Sequence, residues 1–264
     1  MSVAAPKINK HAVADSFSRA AHTYDAAAGL QRDVFQLMCE HFALPDVADA
    51  ILDVGCGTAK ITESIGRRYP NAKIVGLDIA EGMLRFAQRH HANITFVCAD
   101  AEVLPFADGQ FDLIVSNFAV QWCTDFYELF AEIRRCLAPG GRFVFSIPAE
   151  NTLIELKESW YKVDPGFTHV NQFPALEYVR SAAQAADCSR VELEQSMCIV
   201  KYDSLRELMA ELKAIGAHNV TEGRAKSLTG KSTFAGLISA YEQFRDCDGK
   251  LPATWQIMYG MLIK

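Results

Sequence analysis

Asp53-Val54-Gly55-Cys56-Gly57-Thr58-Ala59-Lys60 ends a short apolar run with a carboxylate and two glycines one residue apart. Such glycines let a chain turn sharply and let a ligand press against bare backbone. A dinucleotide loop wants a third glycine, in G-x-G-x-x-G, so that helix and sheet approach closely. Lys60 holds that place, and the phosphate loop G-x-x-x-x-G-K-[ST] is absent from the stretch. The Asp53 carboxylate would repel a phosphate and suits an amine or a sulfonium. Asp78 ends the next apolar run, about twenty residues beyond the glycines, where it would accept from two ribose hydroxyls. Asp100 ends the third run and would accept from an exocyclic adenine amine. Taken singly, these residues are a turn, a helix N-cap and a loop acid. Together they describe a site for an adenosine carrying positive charge and no phosphate, which is S-adenosylmethionine.

Bringing three carboxylates to one place requires strands that end side by side. The runs ILDV (51–54), KIVGLD (73–78), ITFVC (94–98), FDLIVS (111–116) and RFVFSI (142–147) alternate with amphipathic stretches at 59–69, 81–90 and 125–137. The last stretch places Phe126, Leu129, Phe130, Ile133 and Leu137 on one face and is expected to stop at Pro139-Gly140-Gly141. Strands apolar throughout and separated by helices are parallel and covered on both faces. Ligands then sit at their carboxyl ends, near the reversal of strand order. Upstream, residues 8–43 read as helical, with Val13, Phe17, Ala20 and Tyr24 at helical spacing and a second such pattern after Gly29. Downstream come a helix at 174–187, a strand at 190–202, helices at 204–215 and 232–245, and a strand at 255–263; 149–173 holds a helix and turn without an assigned role.

The expected fold is α/β: a doubly wound, seven-stranded, mostly parallel sheet with N-terminal helices and a helical cap inserted before the last strand. One domain spans 1–264. Within it, 1–45 is an N-terminal helical segment, 46–150 the cofactor-binding core, 151–203 a substrate-side segment and strand, 204–250 the cap and 251–264 the final strand.

Lys plus Arg number 26 against 32 Asp plus Glu, a net charge of −6. That balance argues against a general binder of nucleic acid or anionic membrane, both of which reward a basic surface. No apolar run approaches the eighteen or so residues of a membrane span, and the N-terminus lacks the apolar core of a secretory signal. The eight cysteines form no C-x-x-C pair, so no metal is expected and they read as reduced thiols of a cytoplasmic protein.

LDVGCGTAK, VGLDIAEGML, CADAEVLPF, FDLIVSNFAVQW and LAPGGRFVFS together resemble the class I S-adenosylmethionine-dependent methyltransferases. Ala59 departs from them where a third glycine is common; its methyl group is tolerable at negative φ. FSRAAHTYDAAAGLQ (17–31), SNFAVQWC (116–123), LKAIGAHNVTEGR (212–224) and the last strand with Pro252 before it resemble, more narrowly, the malonyl-acyl carrier protein O-methyltransferases of biotin synthesis. The likeness covers residues 8–263, and its cap segment is the most specific part.

That resemblance implies methylation of the free carboxylate of malonyl thioester on acyl carrier protein, or on coenzyme A. It implies cofactor contacts from Tyr24, Gln31, Asp53, Gly55, Gly57, Asp78, Ile79, Met83, Asp100, Ala101 and Asn117. A carboxylate is already ionised, so the expected machinery positions rather than deprotonates. Tyr24 would close over the methionine end and orient the acceptor, Asn117 would line the reacting centre, and Gln121 with Trp122 would form a wall. Arg224 would pair with the malonyl carboxylate. Lys213, Arg224, Lys226 and Lys231 would form a basic patch for an acidic carrier protein. Two other readings stay open: a quinone or small carboxylic acid methyltransferase, with His169, His218 or Glu222 as base, and a methyltransferase-like assembly factor acting on a protein partner.

Overall fold

The apolar runs become β1 (Ala50–Val54), β2 (Lys73–Asp78), β3 (Thr95–Cys98), β4 (Phe111–Asn117) and β5 (Leu137–Pro148), joined by β6 (Arg190–Tyr202) and β7 (Leu251–Ile263). The computed structural model describes residues 8–217, 219 and 230–264. The seven strands form one sheet in the order β3-β2-β1-β4-β5-β7-β6. β7 runs antiparallel to both neighbours and every other pairing is parallel. The order reverses between β1 and β4, so the crevice of a doubly wound sheet opens above Val54 and Asn117.

Successive strand residues point to opposite faces, and each face has its own helices. The first six are α1 (Lys10–Ala20), α2 (Tyr24–Ala27), α3 (Gly29–His41), α4 (Lys60–Arg68), α5 (Glu81–His90) and α6 (Phe126–Cys136). They are followed by α7 (Ile154–Val163), α8 (Leu176–Ala185), α9 (Leu205–Ala214) and α10 (Lys231–Tyr241). Leu30, Val34 and Met38 of α3 and Ile65 of α4 cluster with Ile51, Leu113 and Val115. On the other face Leu129, Phe130 and Ile133 of α6 and Val179 and Ala183 of α8 cluster with Leu52, Ile114 and Phe143. Each fully buried Val, Leu, Ile, Met or Phe side chain among them contributes about 1.5–3 kcal/mol.

Several boundaries shift by one to four residues, as the second of the expected cap helices does in ending at Tyr241, and three differences alter the architecture. The helix expected over 8–43 is broken into α1, α2 and α3. Asn9 caps α1 by accepting from the Ala12 N–H, but at the break the Thr23 hydroxyl donates to the Ala214 carbonyl at 2.7 Å. A distant tie thus outweighs local periodicity. Second, Pro139-Gly140-Gly141 are not a separating loop. α6 stops at Cys136 and β5 starts at Leu137, with the register against β4 slipping between Phe111 and Leu113, where a strand tolerates proline. Third, β7 begins at Leu251, so Pro252 lies inside it, opposite Lys201.

That early start has a purpose in the architecture. β5 ends at Pro148 opposite Ile257, while β6 and β7 pair on to Tyr202 opposite Leu251. The resulting ribbon overhangs the strand ends and carries the cap. Ser204 caps α9 by accepting from the Glu207 N–H, and Leu205, Leu208 and Leu212 bury its inner face. The interval 149–173 supplies α7, against which α10 packs. No helix among the described residues is long and apolar enough to cross a membrane.

Candidate active site

The glycine loop after β1 is shaped by close approach. Gly55 has φ +76°, and a Cβ there would lie 2.0 Å from the Cβ of Ala119; no side chain fits. Its N–H and that of Cys56 donate to the Leu77 carbonyl at 2.7 and 3.0 Å. Gly57 is different: nothing lies within 4 Å of where its Cβ would stand, so bare backbone faces open space. Its N–H donates to Asp78 Oδ2 at 2.9 Å, and the Ala80 N–H donates to Asp78 Oδ1 at 2.7 Å. Burial raises the Asp78 carboxyl in spite of those bonds. Ala59 does not take the negative φ expected of it. It caps α4 in the left-handed region, φ 65° and ψ 19°, a conformation that costs a residue with a Cβ about 1–2 kcal/mol and explains why glycine suits this place.

Asp53 lies beneath the loop, 2% exposed, and accepts from the Thr62 hydroxyl at 2.5 Å. Burial pushes its carboxyl up to about 7; the Thr62 bond opposes the shift and the neighbouring Asp78 charge adds to it.

A narrow cavity of about 80 Å³ opens above the loop, lined by Tyr24, Gly55, Gly57, Asp78, Ile79, Met83, Asp100 and Ala101 from the expected set. Asp53, Gln31 and Asn117 are not in its wall. Asn117 is 7% exposed and engaged at both ends of its amide: the nitrogen donates to the Gln31 carbonyl at 3.0 Å and the oxygen accepts from the Ser146 hydroxyl at 2.7 Å. It ties α3 to β4 and β5. Asp100 is engaged too, with Lys10 Nζ 2.6 Å from Oδ2 and the Glu102 N–H donating to Oδ1. Lys10, which also pairs with Glu102, lines the cavity from α1. The sequence reading missed it, because nothing in local spacing links residues 90 positions apart. No group of three or more His, Cys, Asp or Glu among the described residues could hold a metal.

A second cavity, of about 1080 Å³, lies under the cap. Phe17, Tyr24, Phe118 and Trp122 belong to both walls, so four aromatic rings form the junction. Phe118 turns into it with φ +51°, a strained conformation of the kind that persists where surrounding structure demands it. The Tyr24 hydroxyl is raised well above its ordinary pKa by burial and then by the charges of Asp78, Asp25 and Asp53; it stays protonated, a donor rather than a base.

The described lining of this larger cavity contains no Asp or Glu, but it does contain Arg19, Arg206 and Lys213, all exposed and none paired with a carboxylate among the described residues. Gln31 and Gln121 belong to this wall. His169 does as well, but its ring stacks on Trp160 at 3.8 Å and its Nε2 lies 2.9 Å from Asp164. Lys231 starts α10 and is not part of the described lining. Arg224, Lys226, His218 and Glu222 lie outside the described residues.

A profile described as a methyltransferase domain matches residues 52–145. The biotin biosynthesis bifunctional protein BioHC of Saccharophagus degradans is 40% identical over 98% of this chain, which spans 47% of that protein; the chain is thus about half the length of such bifunctional relatives. The malonyl-[acyl-carrier protein] O-methyltransferase of Hahella chejuensis is 39% identical over 95% of this chain and 89% of its own. Among solved structures, a phosphoethanolamine N-methyltransferase of Haemonchus contortus in complex with S-adenosylmethionine superposes with a TM-score of 0.60 at 18% identity, over 94% of this chain and 57% of that one, a likeness of fold alone. An identity near 40% that runs the length of both partners in the second case leaves one assignment: the chain belongs to the malonyl-[acyl-carrier protein] O-methyltransferase family of S-adenosylmethionine-dependent methyltransferases.

Proposed function

We propose that this chain transfers a methyl group from S-adenosylmethionine to the free carboxylate of malonyl thioester carried on acyl carrier protein. The observation that carries the reading is the likeness over 95% of the chain and 89% of the Hahella protein, cap included. The described residues suit the cofactor: an open cradle at Gly57, the Asp78 carboxylate for ribose hydroxyls, buried Asp53 below, and a cavity whose cation, Lys10, is already engaged by Asp100 and Glu102. A phosphate would meet carboxylates there and no free cation among the described residues. When bound, the cofactor supplies a methyl group on a sulfonium, an excellent leaving group.

The chain's own task is then geometric. With the cofactor bound, the carboxylate oxygen would take its methyl carbon while the S–CH₃ electron pair stays on sulfur, so the chain's residues would have no proton to move. No general base is needed, in keeping with a Tyr24 held protonated and a His169 held by Asp164. The four junction aromatics wall the passage between the two cavities with apolar surface and would keep water from the line of attack. Held protonated, Tyr24 orients the acceptor as a donor at the junction of the two cavities. Asn117 acts by holding α3, and through it Gln31, against the sheet. Arg224, Lys226 and malonyl-coenzyme A as an alternative substrate stay within the reading as proposals from family likeness.

Intact-mass measurement of malonyl-acyl carrier protein incubated with this chain and S-adenosylmethionine tests the whole. The expected result is gain of one methyl group, with none on acetyl-acyl carrier protein. No gain, with cofactor binding confirmed in parallel, would overturn the assignment.

A further inference from the structure

Charge is sorted between the two cavities. Asp78 and Asp100 line the narrow one, whose Lys10 is already engaged. The described lining of the large one has no carboxylate and carries Arg19, Arg206 and Lys213. The sorting suits a cationic donor on one side of the junction and an anionic acceptor on the other. Size adds a second condition. A malonyl group is only a few carbons and oxygens, whereas cavities of about 300–1,000 Å³ take whole drug-sized ligands. At about 1080 Å³ the large cavity has room for much more than the acyl group.

α9 marks where the charged end of a longer ligand would rest. Arg206, Met209, Ala210 and Lys213 all line the cavity, the i, i+3, i+4, i+7 stripe of one helix face. Its two ends are cations, about 10 Å apart along the axis. Both are exposed, so they stand on the cavity's open side. Arg206 is the more firmly held. Its guanidinium carbon lies 4.8 Å from the centroid of the Phe234 ring of α10, and Phe234 lines the cavity as well. A ring beneath it steadies the guanidinium, while no carboxylate among the described residues takes up its N–H donors. Lys213 lies at the seam between α9 and α1. The next carbonyl, of Ala214, accepts from the Thr23 hydroxyl, and that of Gly216 accepts from the Ser16 hydroxyl. Arg19, between Ser16 and Thr23 in the chain, flanks the same seam.

We propose, resting on the function given above, that this opening holds the phosphate at the far end of the acceptor's pantetheine arm. Arg206 on its Phe234 platform is the principal ligand, Lys213 and Arg19 add charge beside it, and the arm fills the cavity with its thioester toward the junction. Each part of the arm meets suitable chemistry. The phosphate is ionised at neutral pH, and its oxygens match the fork of a guanidinium. The arm's methyl groups and methylenes suit a wall that includes Leu153, Leu156, Val170 and Phe173. Acyl carrier protein and coenzyme A both carry a phosphate at this point of the same arm, so the subsite recognises what they share. A thioester cut short of the phosphate keeps its carboxylate and loses this hold.

The test compares malonyl-pantetheine with malonyl-phosphopantetheine, which differ by the phosphate alone and bring no protein surface. The full chain is used at saturating S-adenosylmethionine and low salt, where exposed pairs are least screened. Each compound is read by its KM or, where turnover is slow, by its inhibition of transfer to malonyl-acyl carrier protein. The parent chain is expected to favour the phosphorylated compound roughly fivefold to tenfold. Arg206→Gln should bring that ratio below about twofold, and Phe234→Leu, which keeps the charge and removes the platform, should bring it part of the way. Arg19→Gln and Lys213→Gln give the same reading from separate helices, and affinity for S-adenosylhomocysteine checks the fold of every variant. A parent ratio near one overturns the proposal. So does a parent-like ratio in Arg206→Gln, even if both constants rise together, which would mark Arg206 as a residue of the cap's packing. Failure of the parent chain to methylate carrier-bound malonate would sink the function itself, a result distinct from a ratio near one.

Discussion

Asp53 carries the clearest consequence at the scale of single residues. Its carboxyl, ordinarily near 3.8, stands at about 7 because burial disfavours its charge. The folded chain therefore holds that proton more tightly than the unfolded one. The group costs stability above pH 7, and the cost vanishes as pH falls through 7 toward 4. A cation brought above the loop favours the ionised form, so cofactor uptake near neutral pH releases a proton. Affinity for S-adenosylmethionine is expected to fall as pH drops from 8 to 6, approaching about tenfold per unit below pH 7, and Asp53→Asn should flatten the profile. Calorimetry at both pH values, in buffers of different ionisation heat, reads affinity and proton release together; equal affinities would remove Asp53 from the cation's surroundings. Glycines and strand-end acids of this kind were legible in the sequence because they cluster on consecutive strands. Lys10 beside Asp100, Trp255 beside Phe118 and the bonds of Asn117 were not, since each depends on chain segments brought together only by the fold.

At the scale of elements, α1 joins what the sheet keeps apart. Lys10 reaches Asp100 on the cofactor side, the Ser18 hydroxyl accepts from the Gly82 N–H of α5 at 3.1 Å, and the Ser16 hydroxyl donates to the Gly216 carbonyl beyond α9 at 2.8 Å. One helix thus touches the wall of the narrow cavity, α5 and the cap. Its N-terminal anchor is an ion pair with the Lys10 side chain about a quarter exposed, and such partly buried pairs contribute about 1 kcal/mol. Lys10→Met is expected to speed amide exchange in residues 10–18 roughly fivefold, with β1 and β4 unchanged, and to quicken release of bound cofactor. Exchange in α1 no faster than in the parent chain would show that Ser16, Ser18 and packing suffice to hold it. Elements were read well where periodicity and flanking punctuation agree, as in β2, α5 and β6, whose bounds coincide with the expected runs. They were read poorly where tertiary ties intervene: Thr23 breaks the N-terminal helix to reach Ala214, and the overhanging ribbon extends β7 past Pro252.

For the molecule as a whole, the sign of charge is distributed against its total. The chain is acidic at −6, yet the described lining of the large cavity is free of carboxylates and carries Arg19, Arg206 and Lys213. A like-charged protein partner would be repelled by most of this surface and attracted to that opening, which is also the way to the junction. Long-range repulsion and local attraction together orient an encounter, and both are screened over about 8 Å at physiological salt. Charge at a rim acts chiefly on the rate of association. The double change Arg206→Glu and Lys213→Glu should therefore lower kcat/KM for carrier-bound malonate about tenfold at low salt and by little at roughly 0.5 M salt. Cofactor affinity should stay as it was, and a short malonyl thioester without a protein should be far less affected by salt. Stopped-flow association and steady-state rates over a salt series check this. If the parent chain and the double variant respond to salt identically, the carrier docks elsewhere, and the cations at this opening serve only the acceptor's own negative charge.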